Sequence, residues 1–190
     1  PFTDKDADLI LRSSDNADLY VHKLLLSLVS PFFRDMFTLP QSTTDAGDVK
    51  SDADKEFPVV PVGENLRILQ ALLVWVDPRC NPTLETLNDV GQVLQTAEKY
   101  DMSSVIRRIG SALAQSKHVE GDPLRVFAIA YRHRDLDGMK NLVKLAARET
   151  LKLTIPFEKA PLSEWRNISG DAVQQLYEYH AECGKVASAV

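Results

Sequence analysis

The pattern of apolar and polar positions divides the chain into a β-rich start and a long helical remainder. Two short apolar runs, at 8–14 and 19–21, flank the polar turn at 15–18, a pattern typical of a β-hairpin. A third run at 57–62 contains two prolines, which an edge strand tolerates and a central strand does not. We therefore expect three short strands, with the third one at an edge of the sheet.

Apolar residues at helical spacing predict the rest of the structure. A leucine-rich helix begins at His22, and Ser30-Pro31 ends it and begins a second helix, with Ser30 as N-cap and proline at the first helical position. Pro40 closes that second helix. Later apolar stripes predict helices at 66–76, 87–100, 103–113, 123–130 and 139–146, and a last one after Ser169.

Residues 41–56 are the clearest break in these patterns. The segment is polar, has no apolar periodicity and carries a net charge of −3 from five acidic residues and two lysines. Such a composition cannot offset the entropy of ordering the chain. We predict a mobile acidic loop here, with a regulatory or partner-binding segment as the alternative.

Composition and charge narrow the class of protein. The chain has 190 residues, of which 44% are hydrophobic and 26% charged, as in ordinary globular domains. Its net charge of −5 disfavours nucleic acid as a partner, because binding to phosphates needs a basic surface. No apolar run is long enough to span a membrane, and the acidic first residues are unlike a signal peptide. With only two cysteines, we expect a reducing compartment, cytoplasmic and/or nuclear.

Candidate chemistry is sparse. His180 and Cys183, three residues apart, could place two metal ligands on one helical face, but no second pair completes a tetrahedral site. There is no C-x-x-C motif and no glycine-rich phosphate loop. We therefore expect no catalytic residue, no metal and no cofactor. An enzyme with an unrecognised site stays the alternative from another class.

The order of the elements and the residues at their junctions resemble the BTB/POZ family. The resemblance spans about residues 6–115 and implies an α+β fold, a small three-stranded sheet flanked by helices. Residues 119–190 resemble the helical extension that follows this domain in fungal members, similar in position to the BACK region, so we predict a BTB/POZ domain at 1–118 and an all-helical extension at 119–190. The residues that carry the resemblance are Asp8-Leu9-Ile10-Leu11, Val21-His22-Lys23-Leu24-Leu25-Leu26-Ser27-Leu28-Val29-Ser30-Pro31-Phe32-Phe33-Arg34-Asp35-Met36-Phe37 and Glu98-Lys99-Tyr100-Asp101-Met102.

The resemblance implies a protein–protein interaction module rather than an enzyme. It implies homodimerisation through the first strand and the two helices at 22–37, and service as an adaptor for a cullin-type ubiquitin ligase or as a scaffold in transcriptional control. A structural or regulatory dimer that binds no cullin is the alternative. It is favoured by Gln41-Ser42-Thr43, which does not match the hydrophobic-x-Glu motif of cullin adaptors.

The resemblance also implies site residues. Asp8 and Lys23 occupy the two family positions that form a charged pocket at the dimer interface, with Leu24, Leu25, Leu28 and Phe2 as the apolar area around it. Four large apolar side chains within six residues cannot share one face of a helix, so we also predict a partner surface among Phe32, Phe33, Met36 and Phe37. His22 is expected to be buried and hydrogen-bonded to the backbone.

Overall fold

The computed structural model describes residues 2–4, 6–39, 57–136, 138–153 and 169–188. The predicted acidic loop at 41–56 and the segment Gln41–Thr43 lie outside the described residues. The chain forms two compact units, which divide it differently from the boundary predicted at residue 118. Unit 1 comprises Pro1–Thr83 and Gln92–Val105, and unit 2 comprises Leu84–Gly91 and Ile106–Val190.

Unit 1 contains a mixed three-stranded sheet of order β2-β1-β3. Its strands are β1 (Leu9–Arg12), β2 (Asp18–Val21) and β3 (Val59–Pro61). In the antiparallel hairpin of β1 and β2, Leu11 lies opposite Leu19, and the turn uses Asn16 in the left-handed region with φ 60°. Strand β3 pairs parallel to β1 and lies at the edge. The three predicted strands and the edge position of the proline-containing one are confirmed.

Unit 1 also contains three complete helices. They are α1 (Lys23–Val29), α2 (Pro31–Thr38) and α3 (Leu66–Val76). Ser30 ends α1 and caps α2 as predicted, because its hydroxyl accepts a hydrogen bond from the Phe33 N–H at 3.1 Å. The same hydroxyl donates to the carbonyl of Tyr100 at 2.5 Å. The largest fully buried side chains of unit 1 are Leu9, Leu11, Leu26, Phe33, Leu69, Leu72, Leu73, Leu94 and Met102.

Two helices contribute residues to both units. They are α4 (Leu87–Lys99) and α5 (Ser103–Ala114). Both were predicted from their apolar stripes, and those stripes are buried. The division between the units therefore falls within these helices rather than at a linker.

Unit 2 is helical in its described part. Its remaining helices are α6 (His118–Gly121), α7 (Pro123–Arg132), α8 (Met139–Thr150) and α9 (Gly170–Ser188). Sequence periodicity missed α6, since four residues are too few to show an apolar stripe. Asp122 caps α7 by accepting a hydrogen bond from the Arg125 N–H at 3.3 Å. Gly138 precedes α8 with φ 92°, and a side chain there would also crowd Arg107.

Within the described residues, no helix is both long enough and apolar enough to cross a membrane. The same residues include no group of three or more His, Cys, Asp or Glu side chains that could hold a metal ion.

Candidate protein-interaction surface

Helix α1 turns two of its leucines to solvent. Leu24 and Leu28, which we call the leucine stripe, are 68% and 73% exposed, while Leu26 on the opposite side is 1% exposed. The two exposed residues are four positions apart, so their side chains lie one above the other on the same face. Large apolar side chains grouped at a surface in this way mark interaction sites. The stripe includes two of the predicted interface residues.

Asp8 and Lys23 meet, but through the backbone. The Asp8 Oδ1 atom accepts a hydrogen bond from the Lys23 backbone N–H at 2.7 Å. A carboxylate at this position satisfies one of the unpaired N–H groups of the first helical turn and interacts favourably with the helix dipole. The Lys23 ammonium instead lies 5.9 Å from the centroid of the Phe37 ring. Asp8 thus holds the start of α1 in place.

His22 is not buried, contrary to the prediction. It is half-buried at the N-cap position of α1, and its side chain makes no cap hydrogen bond. The side chain that accepts from the first N–H group of the helix is instead that of Asp8, which directly precedes β1. His22 lines a narrow cleft beside Leu25 and Phe2.

The N-terminal segment lies along its own chain. The Phe2 carbonyl accepts a hydrogen bond from the Tyr20 N–H at 2.8 Å, which places the segment beside β2. Arg79 holds it there by pairing with both Asp4 at 2.8 Å and Asp77 at 2.7 Å. These hydrogen bonds lower the pKa of both carboxyl groups. The Phe2 side chain is half-buried, and so is that of Leu25.

The aromatic residues of α2 divide between core and surface. Phe33 is 2% exposed, and its ring packs against those of Tyr100 and Phe37 with centroid distances of 5.0 and 6.0 Å. The prediction of a partner-binding role is therefore wrong for Phe33. Successive residues of a helix point in directions about 100° apart, and Phe33 points into the core. Phe32 is 47% exposed, whereas Met36 and Phe37 are half-buried.

A cluster that sequence reasoning missed joins Glu64 to the end of α4. The Tyr100 hydroxyl donates to Glu64 Oε2 at 2.5 Å, and Lys99 Nζ lies 2.7 Å from Oε1. Burial alone would raise the pKa of Glu64, but the hydrogen bonds from Lys99 and Tyr100 outweigh it and the pKa is lowered. Burial, together with the hydrogen bond to Glu64, raises the pKa of Tyr100 to about 12. These groups satisfy one another, which fits an anchor rather than acid–base catalysis.

By their spacing His180 and Cys183 could form a ligand pair, although the sequence predicts no metal there, and in the structure the imidazole of His180 contacts Thr150. His180 Nε2 lies 2.7 Å from the hydroxyl of Thr150, and burial lowers the pKa of the imidazole. Cys183 is a half-buried free thiol. In the part of the chain that the structure describes, His180 and Cys183 belong to no cluster able to hold a metal.

The comparisons with known proteins agree with this architecture. The family model of the BTB/POZ domain matches residues 2–117, more than half of the chain. The chain therefore belongs to the BTB/POZ family, whose domains are protein–protein interaction modules. The predicted α+β fold is confirmed.

Among solved structures, the chain is similar to the BTB domain of zebrafish PATZ1. The identity is 17%, the match covers 58% of this chain and 77% of that one, and the TM-score is 0.41. No curated protein matches the chain.

Proposed function

We propose that this protein is a homodimeric interaction module in which a second copy of the chain covers the leucine stripe of α1. The observation that carries the proposal is the exposure of Leu24 and Leu28, at 68% and 73%, on a helix held at both ends. Asp8 fixes the first turn, and Ser30 terminates the helix and binds the carbonyl of Tyr100. The stripe is thus a fixed surface rather than a frayed segment.

The free energy expected from burying the leucine stripe supports a two-fold symmetric dimer. Covering one such leucine contributes about 1–2 kcal/mol, since full burial of a leucine side chain is worth about 1.5–3 kcal/mol. A two-fold interface uses each residue twice, so the stripe would contribute about 4–8 kcal/mol. Association costs at least about 4 kcal/mol in lost freedom, so the interface needs further apolar area. Leu25, a predicted interface residue that is half-buried on the same helix, supplies some of it.

The test is the double variant Leu24→Asp/Leu28→Asp, with Val186→Asp as the matched control. Val186 is 68% exposed on α9, so it repeats the change of apolar to charged residue at equal exposure outside the proposed interface. Sedimentation equilibrium at micromolar concentration should show dimers for the wild type and for the control. The double variant should be a monomer with an unchanged circular dichroism spectrum. A monomeric wild type, or a dimeric double variant, contradicts the proposal.

The dimer would serve as an adaptor or scaffold for other proteins. Phe32, Met36 and Phe37 keep some exposed surface and form the partner surface in this proposal, without Phe33. A cullin scaffold is one partner to test, by calorimetry with the purified protein and with Phe32→Ala as the matched variant. Binding that Phe32→Ala weakens at least tenfold supports the adaptor role. No binding at tens of micromolar supports the structural or regulatory dimer that binds no cullin.

A further inference from the structure

Unit 2 contains a cavity of about 440 Å³ between α7, α8 and α9. We propose that it binds a small apolar carboxylate, a free acid whose hydrocarbon part lies among aromatic rings and whose carboxylate pairs with Lys144 and Arg148. Nothing in the proposed dimerisation requires this site, because the described residues that line it belong to unit 2, whereas α1 belongs to unit 1.

The wall on the α7 side is apolar and well packed. Phe127 and Tyr131 are 3% and 7% exposed, and their ring centroids are 5.5 Å apart. Leu176 of α9, which is 2% exposed, and the half-buried Val143 of α8 complete the apolar lining. Aromatic and aliphatic side chains held this firmly form the usual lining of a preformed ligand pocket. They provide the surface that a hydrocarbon chain or ring would cover.

The polar side of the cavity is cationic. Lys144 and Arg148 lie one turn apart on α8, and both line the cavity. Among the described lining residues none is acidic. The nearest carboxylate along the helix, that of Glu149, pairs with Lys152 at 2.6 Å. Two like charges four residues apart repel each other, so a bound anion would relieve that repulsion.

Tyr179 of α9 also lines the cavity and lies close to Arg148. Burial and a hydrogen bond with Cys183 raise the pKa of Tyr179, while the positive charge of Arg148 acts in the opposite direction. Tyr179 therefore stays protonated near neutral pH and adds no negative charge to the cavity. In a chain with a net charge of −5, two adjacent cations beside an apolar cavity favour an anionic ligand.

The size of the cavity favours a small molecule over a protein segment. A volume of about 440 Å³ lies within the range of small-molecule sites, roughly 300–1,000 Å³. Nine of the described residues line it, whereas a standard protein interface uses about 20–30 on each side. One ligand with a hydrocarbon body and a single carboxylate matches both the volume and the charge.

Decanoate is the probe, measured by isothermal titration calorimetry on the full chain below its micellar concentration. Decanol and decyltrimethylammonium provide the same hydrocarbon chain with no charge and with a positive charge. We expect decanoate to bind saturably with one site per chain, at least tenfold more tightly than decanol. The cationic amphiphile should bind more weakly still.

Two sets of variants locate the binding. Lys144→Gln/Arg148→Gln should lower the affinity for decanoate at least tenfold and leave that for decanol unchanged. The matched control Lys140→Gln/Lys185→Gln removes one exposed charge from α8 and one from α9, both outside the lining. It should change neither affinity. Val143→Trp, which fills the cavity, should abolish binding while the circular dichroism spectrum stays native.

Several results would overturn the proposal. They are the absence of saturable decanoate binding, equal affinities for decanoate and decanol, and full binding by a folded Val143→Trp variant. Binding of an amidated acidic, leucine-rich peptide without any binding of decanoate would assign the cavity to a protein partner instead. Binding by a chain with residues 154–168 replaced by a Gly/Ser linker, but not by the wild type, would show that the free acid is not the natural occupant.

Discussion

Helices α1 and α3 of unit 1 are both rich in leucine, but the structure uses them in opposite ways. In α3, six of the eleven residues are buried, among them Leu69, Leu72 and Leu73. In α1, only Leu26 of seven residues is buried, and Leu24 and Leu28 face solvent. Apolar residues at helical spacing therefore predict that a helix face is buried. They do not indicate whether the same chain or another molecule buries it.

The ends of the two helices show that both are firmly placed. Asn65 caps α3 by accepting from the Ile68 N–H at 3.0 Å, and Asp15 accepts from the Leu66 N–H at 2.8 Å. Helix α1 is held by Asp8 at its start and by Ser30 at its end. The exposure of α1 is thus a property of a fixed helix. The difference between the helices lies in what covers them.

The largest expected effect separates the two helices directly. Leu72→Ala in α3 should destabilise the protein by about 2–5 kcal/mol, because the residue is 1% exposed and its truncation leaves a cavity. Leu24→Ala in α1 should change the stability of the isolated chain by less than about 0.5 kcal/mol. Urea unfolding at a concentration low enough to avoid association measures both. Equal losses of unfolding free energy in the two variants would contradict the proposed difference between α1 and α3.

Removing the anchor at the end of α1 should have the next largest effect. Ser30→Ala loses the cap of α2, worth about 1 kcal/mol, and takes a hydrogen-bond donor from the buried carbonyl of Tyr100, worth about 1–3 kcal/mol. We expect a total loss of about 2–3 kcal/mol in the same unfolding experiment. Ser27→Ala is the control, because its hydroxyl bonds only to the preceding turn of α1. A Ser30→Ala variant as stable as Ser27→Ala would show that this anchor is unimportant.

The stabilisation that Glu64 provides through Lys99 and Tyr100 should depend on pH. The pKa of Glu64 lies below its ordinary value of 4.5, so its stabilisation is complete above that value and is lost as the pH falls through the folded-state pKa. Glu64→Gln should cost about 1–2 kcal/mol at pH 7, and the difference from the wild type should shrink below about pH 4.5. Unfolding free energies from pH 7 to pH 3 test this, with the exposed Glu120→Gln as control. A difference that is constant with pH would contradict the ion pair.

The smallest effect is expected at the start of α1. Asp8→Asn keeps an oxygen that can accept from the Lys23 N–H and loses only the charge near the helix terminus, so it should cost about 0.3–1 kcal/mol. Thermal unfolding at low protein concentration measures the change. A loss of several kcal/mol at concentrations where the protein dimerises would instead support the charged pocket that the family resemblance implies for Asp8 and Lys23.

The sequence predicted the elements better than their surroundings. Local rules predicted the edge position of β3, the Ser30 cap and the apolar stripes of α4 and α5. The structure confirms all of them. The inward position of Phe33 depends on Tyr100, which lies far along the chain. The pairing of Glu64 with Tyr100 likewise joins residues 36 positions apart, and no local pattern encodes it. The start of α1 is likewise capped by Asp8, which lies 15 positions before Lys23.

The central claim is that a second copy covers the leucine stripe, and the accessibility of its methyl groups in solution tests this most directly. Methyl-labelled protein is titrated with a soluble paramagnetic gadolinium chelate at concentrations below and above the dimer dissociation constant. We predict that relaxation enhancement at Leu24 and Leu28 falls at least several-fold at the higher concentration, while Val186, equally exposed in the single chain, does not change. Leu24 and Leu28 methyl groups as accessible as those of Val186 at every concentration would contradict the account.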